Sequence, residues 1–376
     1  MAFSYWESNQ WLEGVDLFVI GGGIVGLSAA RMAKERHPHW RVVVLDQSAF
    51  GSGGSTKNAG FACFGSTSEL LHDRRTLGDD AALELVRMRL RGLELLRKTV
   101  GDDALGYSAC GSVEFFPPFG TESALDAQGL EEMNAWIQPA TGLQSTFQFR
   151  DPTQFNDVAQ SSAGQAIFSP LEGTIDTGMM NRSLRELAAN LGVDVLTGIR
   201  VERILCESGN WQVNLRPVDA SAASHATVQA PHLILATNAF AAELIPELDV
   251  RPARNMVMVT APVPAWSFHH SVHLDAGYVY ARSIGNRMLI GGGRHWGLPD
   301  VDTEARLVEW LHALWPRTKE VPIEYRWSGS LGISDIRYPI VQRIGSGGVA
   351  AVRMGGMGVA IGMEIAKQAV NILSSD

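Results

Sequence analysis

Val15-Asp16-Leu17-Phe18-Val19-Ile20-Gly21-Gly22-Gly23-Ile24-Val25-Gly26-Leu27-Ser28-Ala29-Ala30 runs from an apolar segment through a glycine turn into a helical pattern. A second apolar run, Val42-Val43-Val44-Leu45, then closes on Asp46. The order is strand, G-x-G-x-x-G turn, helix, strand, acid. Gly21 permits a sharp exit from the first strand, Gly23 leaves room for a pyrophosphate against the backbone, and Gly26 lets helix and strand pack closely. The helix that starts near Ile24 and Val25 aims free N–H groups and the positive end of its dipole at the phosphates. Asp46, 20 residues after Gly26 and followed by Gln47, is placed to accept hydrogen bonds from ribose hydroxyls. The stretch predicts a dinucleotide-binding unit and leaves NAD and FAD open.

At 376 residues the chain has material for about two or three domains and an ample core. Hydrophobic residues at 45% and charged ones at 19% describe a soluble globular protein. The net charge of −9 argues against a nucleic-acid surface and against a polybasic membrane anchor. Cys63, Cys110 and Cys206 share neither CxxC nor metal-ligand spacing, which points to a reduced, cytoplasmic protein. Met1 to Gly14 lacks the basic start and apolar centre of a signal peptide. No apolar run reaches the roughly 18 residues of a membrane span.

Beyond Asp46, the segment Phe50-Gly51-Ser52-Gly53-Gly54-Ser55-Thr56-Lys57-Asn58-Ala59-Gly60-Phe61-Ala62-Cys63-Phe64-Gly65-Ser66 mixes glycines and small polar residues with phenylalanines. It reads as a second cofactor wall. Leu83, Val86, Leu90, Leu93, Leu96 and Val100 recur at helical steps, predicting an amphipathic helix over 80–100 with Arg87, Arg91, Arg97 and Lys98 solvated. Gly111 to Phe116 reads as a strand, whereas 121–165 is turn-rich without a periodic signal. Next come a helix from Gly178 to Asn190 and strands at Val193–Leu196, Ile199–Leu205 and Trp211–Leu215. His232-Leu233-Ile234-Leu235 ends in Ala236-Thr237-Asn238-Ala239, where open α/β sheets present ligand loops. Strand segments at Asn255–Thr260, Tyr278–Ala281 and Arg287–Gly293, with a helix at Thr303–Trp315, predict an antiparallel sheet. Val349-Ala350-Ala351-Val352 leads into Gly355-Gly356-Met357-Gly358-Val359 and a closing helix to Leu373, a second strand–glycine–helix element.

These pieces together resemble the FAD-dependent D-amino-acid oxidase family, which includes glycine oxidase, sarcosine oxidase and D-amino-acid dehydrogenases. Gly21, Gly23, Gly26 and Asp46 match its fingerprint. Gly54 to Gly60 is similar to the segment that lines the flavin, and Gly173-Thr174-Ile175-Asp176 to the stretch before the middle helix. Ala236 to Ala239 resembles its Ala-Thr/Gly-Asn/Gly-Ala element. Trp327-Ser328-Gly329 with Asp335 and Pro339-Ile340 echoes its W-x-G…D…P-I stretch, and Gly355 to Gly362 is similar to the turn and helix that close over the flavin. The resemblance spans nearly the whole chain and implies FAD rather than NAD. The implied cofactor residues are Gly21, Gly23, Ile24, Val25, Gly26, Asp46, Gln47, Ser55 to Gly60, Val201, Thr237, Asn238 and Gly355 to Val359. The implied fold is α/β: a Rossmann-type FAD-binding domain over 14–75, 165–245 and 325–376, of the glutathione-reductase-2 type. An antiparallel substrate-binding sheet is inserted over 76–164 and 246–324. The implied reaction is hydride transfer from a carbon bearing an amine to flavin N5, giving an imine that hydrolyses. The amine sheds its proton first, and N–H groups at the start of the helix after Gly358 would stabilise charge on the reduced flavin.

Departures from the family pattern bear on the substrate. Ser330 stands where amino-acid members carry a carboxylate-gripping arginine, and Ala360 where sarcosine oxidase-like members have a lysine. Leu289 replaces a lysine that helps oxygen react. Asn58, and Ser328 or Ser330, occupy the places of the histidine and cysteine that link flavin covalently, so non-covalent FAD is expected. Tyr278 and Arg282 resemble a Y-x-x-P-R strand whose tyrosine faces the substrate, and Arg294 and His295 follow the glycines of the next strand. Tyr278, Arg294 and His295 are thus the candidate catalytic residues, with Arg294 the candidate carboxylate fork. A surface ion pair for Arg282 and a hydrogen-bonded core position for His295 are the structural alternatives, and Cys63 fits a buried small hydrophobe. Three functions stay open: oxidation of a small-molecule amine or amino acid, oxidation of a 2-hydroxy acid, and a non-catalytic FAD-binding subunit of a larger complex.

Overall fold

A computed structural model of the protein describes residues 3–50, 53–219 and 225–375. Gly51 and Ser52 of the glycine-rich segment, and Met1 and Ala2 of the N-terminal stretch, lie outside the described residues. Leu17–Ile20 is the central strand of a six-stranded sheet ordered Ile340–Gly345, Gly348–Val352, His232–Leu235, Leu17–Ile20, Val42–Asp46, Asp194–Thr197. Pairing is parallel except at Ile340–Gly345, which runs antiparallel to its neighbour. The two-residue period of a strand divides its side chains between two cores. Leu17 and Val19 join a cluster with the helices Ile24–Arg36, Thr177–Asn190 and Gly358–Leu373. Phe18 and Ile20 join Trp211, Val213 and Leu215 of a three-stranded sheet, Ile199–Glu207, Asn210–Pro217 and Ala226–Ala230. Coverage on both faces explains the unbroken apolar runs of the sequence.

The second sheet has eight strands, ordered Ile323–Ile333, Arg251–Thr260, Arg287–Gly292, Val279–Ile284, Ser271–Leu274, Ser112–Phe116, Gln165–Ser169, Gln148–Arg150. It is antiparallel apart from one parallel pair, Ser271–Leu274 with Ser112–Phe116. Gln165–Ser169 and Ile323–Ile333 pair into this sheet, so its hydrogen bonding runs past the segments 76–164 and 246–324. Met258, Met288 and Ile290 share a core with the helix Asp300–Leu314. Val257, Val259 and Leu289 pack instead with Ala59 and Phe61, towards the first sheet.

The helix expected over 80–100 forms as Asp79–Val100, with acids in its first turn and Arg97 and Lys98 in its last. It buries more than one stripe because it lies between two bodies. Leu85, Leu93 and Leu96 join the Rossmann core, while Val86 packs with Leu130, Met133 and Ile137. Arg89 turns inward, pairing with Asp73 at 3.0 Å and donating to the Phe64 carbonyl at 2.9 Å. Gly92 marks the crossing with Gly358–Leu373, where a β-carbon would overlap the Ala360 carbonyl oxygen. Within the region lacking a periodic signal stands the helix Ala127–Thr141, begun by Asp126 accepting from the Gly129 N–H and ended by left-handed Gly142.

Candidate active site

A cleft of about 680 Å³ lies between the two sheets and is lined from both. At its Rossmann wall the chain turns at Gly21, whose φ is +109° and where a β-carbon would meet the Ala236 carbonyl oxygen at 2.7 Å. The Gly22 N–H donates to Asp46 Oδ2 at 2.7 Å and the Ser48 N–H to Oδ1 at 2.8 Å. Asp46 therefore also shapes the turn, keeping lone pairs for a ribose. The helix Ile24–Arg36 starts at Gly23 with no side-chain cap on that residue, and its Ile24 N–H donates to Ser55 Oγ at 3.0 Å. A second uncapped helix N-terminus, at Gly358, opens on the same cleft beside Gly355 and Gly356, where a β-carbon would meet nothing within 4 Å. The Thr237 hydroxyl, also on the cleft, is buried without a partner among the described residues. Two helix starts without an N-cap side chain, bare glycines and an acid on one cleft fit a dinucleotide.

Of the expected cofactor residues, Gly21, Gly23, Ile24, Val25, Asp46, Gln47, Ser55, Lys57, Asn58, Ala59, Val201, Thr237, Asn238 and Gly355 to Val359 line this cleft. Gly26, Thr56 and Gly60 stand behind its wall. A β-carbon on Gly26 would overlap the Gly21 carbonyl, which is the close packing expected of it. The Thr56 hydroxyl donates to the Phe50 carbonyl at 3.3 Å.

Distant residues hold the loop 53–60. Asn58 braces it from within, donating to the Gly54 and Ser55 carbonyls at 2.8 and 2.9 Å and accepting from the Gly60 N–H at 2.8 Å. Trp327 donates to the Lys57 carbonyl at 3.0 Å across 270 positions of sequence. Arg282 donates to the Gly60 and Ile175 carbonyls, each at 2.8 Å, the former across 222 positions. Only 8% exposed, Arg282 is neither a surface ion pair nor a substrate anchor: it is a tie between the second sheet and the loop.

The opposite wall is charged. Tyr278, Arg294 and His295 all line the cleft and converge. The His295 ring stacks on Tyr278 at 4.6 Å between centroids, and the Arg294 guanidinium carbon sits 4.5 Å from the same centroid. Arg337 joins them, its guanidinium carbon 5.3 Å from that centroid and its Nη2 donating to the Tyr278 hydroxyl at 2.8 Å. Arg337 also lies 3.8 Å from Asp73, whereas Arg294 makes no hydrogen bond or ion pair among the described residues. Burial lowers the Arg294 pKa, and the neighbouring Arg337 lowers it further. Below them His273 is clamped, Nε2 to Glu172 at 2.9 Å and Nδ1 to Glu69 at 3.4 Å. Burial alone would lower His273, but the two carboxylates raise it well above its ordinary value. Burial likewise opposes the ionised form of Glu69, yet His273, Arg337 and the Ser66 N–H hold its carboxyl down to about 2.

Arg337, Glu69, His273 and Asp275 escaped the sequence reading. A signal existed for two of them. Arg337 lies between Asp335 and Pro339 in a stretch already singled out, and Ser66-Thr67-Ser68-Glu69 is a capping-box pattern that the structure realises. The substituted positions are also placed. Ser328 accepts from Arg254 Nε at 2.8 Å on an exposed face, while Leu289 and Ala360 are core residues.

The chain is 26% identical over 349 residues to gamma-glutamylputrescine oxidoreductase of Escherichia coli (strain K12), covering 88% of this chain and 76% of that protein. It is 27% identical over 249 residues to bifunctional protein ThiO/ThiG of Synechocystis sp., covering 65% of this chain and 32% of that protein. The chain thus matches about a third of that relative's length. Glycine oxidase from Geobacillus kaustophilus shares the fold, with a TM-score of 0.74 at 19% identity over 95% of this chain and 94% of that one. No described helix is long and apolar enough to cross a membrane. The family of FAD dependent oxidoreductases (DAO) matches residues 16–372, and the chain, whose cleft has the glycines, acid and open helix starts that FAD requires, belongs to that family.

Proposed function

We propose that this protein oxidises the C–N bond of an amine or amino acid and that Arg294 receives the substrate carboxylate. The observation that carries the proposal is a half-buried guanidinium on the cleft wall with no acid partner among the described residues. Charges in such places are paired, and the missing partner is an anionic ligand. Bound FAD supplies the hydride acceptor. Gly21 to Val25 and Asp46 would hold its pyrophosphate and ribose, and Gly355 to Val359 its far end. Tyr278 braces Arg294, and Arg337 adds positive potential without being free itself. Residues 76–164 and 246–324 serve as the substrate-binding part, which supplies Tyr278, Arg294 and His295. The names glycine oxidase and gamma-glutamylputrescine oxidoreductase favour nitrogen substrates over 2-hydroxy acids. Asn58 is occupied by loop hydrogen bonds in the place of a flavin-linking histidine, which supports non-covalent FAD. Acid precipitation should leave a colourless pellet. Three free cysteines favour a reducing, cytoplasmic setting.

The test is anaerobic reduction of the bound flavin by amino acids, their decarboxylated amines and 2-hydroxy acids. Arg294→Ala should raise KM for an amino acid about 10-fold to 100-fold, from loss of roughly 1.5–3 kcal/mol of charged hydrogen bonding. It should affect the decarboxylated amine little and leave FAD content unchanged. Equal losses on both substrates would make Arg294 structural, and reduction by hydroxy acids alone would replace the amine assignment.

A further inference from the structure

Three successive residues, Asp275, Ala276 and Gly277, have positive φ of 50°, 52° and 72°, and the last of them lines the cleft. Two of them carry a β-carbon, so this turn is strained and persists only because its surroundings fix it. What fixes it is a set of donors around one carboxylate. Asp275 Oδ1 accepts from the Thr121 N–H at 3.2 Å and from the Thr121 hydroxyl; Oδ2 accepts from His295 Nε2 at 2.5 Å and from Trp296 Nε1 at 3.4 Å. Burial works against ionisation, but these donors hold the carboxyl at about 2, so Asp275 is an acceptor only. Nε2 of a neutral His295 must then carry the ring proton, which leaves the lone pair on Nδ1. That nitrogen has no hydrogen-bond partner among the described residues, and the ring, 23% exposed, lines the cleft.

We propose that His295 is the catalytic base that takes the proton from the substrate ammonium, and that Asp275 is its positioning residue. This rests on the amine-oxidising function proposed above. His295 and Arg294 are consecutive in one short turn, Arg294–Trp296, and both are braced on the ring of Tyr278. The carboxylate and nitrogen of an α-amino acid hang from one carbon. A carboxylate held by Arg294 therefore brings the ammonium to the neighbouring imidazole. One N–H bond of the ammonium breaks and one forms at Nδ1. The electron pair left on nitrogen becomes the π bond of the iminium ion, the protonated imine, as the α-hydrogen leaves with its electron pair, for which bound FAD would be the acceptor. The charged and titratable groups around the ring are Asp275, Tyr278, Arg294 and, across Tyr278, Arg337, with Glu69 behind. The other cleft histidines are less suited. His273 has both nitrogens engaged by carboxylates, and His72 has no side-chain hydrogen bond among the described residues to orient it.

The test is kcat/KM of the FAD-loaded enzyme for one amino acid from neutral to alkaline pH, in wild type, His295→Gln and Asp275→Asn, with FAD content read by absorbance. His295→Gln is expected to lose on the order of 100-fold at neutral pH. The deficit should narrow as the substrate arrives increasingly as free amine. Asp275→Asn should show the same narrowing with a smaller deficit, and if it fails to fold the His295 series decides alone. A deficit constant with pH, or none at neutral pH, would overturn the base assignment while the amine-oxidising function stands. A wild-type flavin that no amine reduces would overturn both.

Discussion

Gly92→Ala is expected to cost the protein about 2 kcal/mol of stability and to weaken its hold on FAD. Inside a helix alanine is favoured over glycine by about 0.8–1 kcal/mol. At Gly92 that gain is outweighed. The new methyl would overlap the Ala360 carbonyl oxygen and lie 3.1 Å from the Ile361 α-carbon, so only separation of two helix backbones can relieve it. Overpacking of this kind costs about 1–3 kcal/mol, and rigid backbone neighbours place it at the upper end or beyond. The helix displaced is Gly358–Leu373, whose first turn opens on the cleft, so cofactor affinity should fall with stability. Gly362→Ala is the control. Its β-carbon would meet only side-chain atoms of Ile24, at 3.0–3.3 Å, which shift at small cost, and the net change should be near zero. The assays are thermal unfolding with and without FAD, and FAD titration of the apoprotein. At roughly 2–4 °C per kcal/mol, Gly92→Ala should melt several degrees lower. A Gly92→Ala protein that melts with wild type, or a Gly362→Ala protein that melts below it, would refute the crossing as the constraint.

Asp46→Ala should weaken FAD binding at least tenfold, by loss of ribose hydrogen bonds of about 1.5–3 kcal/mol each and of the Gly22 brace, while the protein that retains FAD turns over nearly normally. Unchanged affinity in a flavin titration would leave Asp46 with the glycine turn alone and no part in holding the ribose. Glu69 and Asp275, both held at about 2 in the folded protein, contribute stability that is present above their ordinary values of 4.5 and 3.8 and lost as pH falls towards 2. Urea midpoints should drop across that window, and Glu69→Gln should flatten the drop. His273 has the opposite sign. Its raised value makes its contribution complete below 6.5 and lost at alkaline pH, so the midpoint should decline there too unless His273 is replaced.

The Rossmann half was legible because its signals are local. Unbroken apolar strand runs, a glycine turn and an acid at fixed offset lie within 32 residues, Val15 to Asp46. The second sheet was legible as strands but not as an order. Nothing local announces that Ser112–Phe116 lies parallel to Ser271–Leu274, some 159 positions on. Buried charges were the main blind spot. Arg89 sits among the arginines of an amphipathic helix, and only the position of Asp73 on another helix draws it inward. Tyr278 and Arg282 were paired by family pattern, yet Arg282 lies farther along its strand, under the loop, where carbonyls claim it. Arg294 lies on the cleft wall, but its freedom from acids follows from three-dimensional neighbours that spacing does not encode.

The ties on the loop 53–60 also set an order in time. Its anchors come from Ile24 at one end of the chain and from Arg282 and Trp327 towards the other. Long-range closures of this kind form late, because their entropic cost falls due before any contact rewards it. The glycine turn and its helix can form early from neighbouring residues alone, but the wall facing them cannot. Cofactor capture therefore belongs to the final stage of folding, when both sheets are in place, and bound FAD acts as a seal on the finished assembly rather than as a nucleus for it.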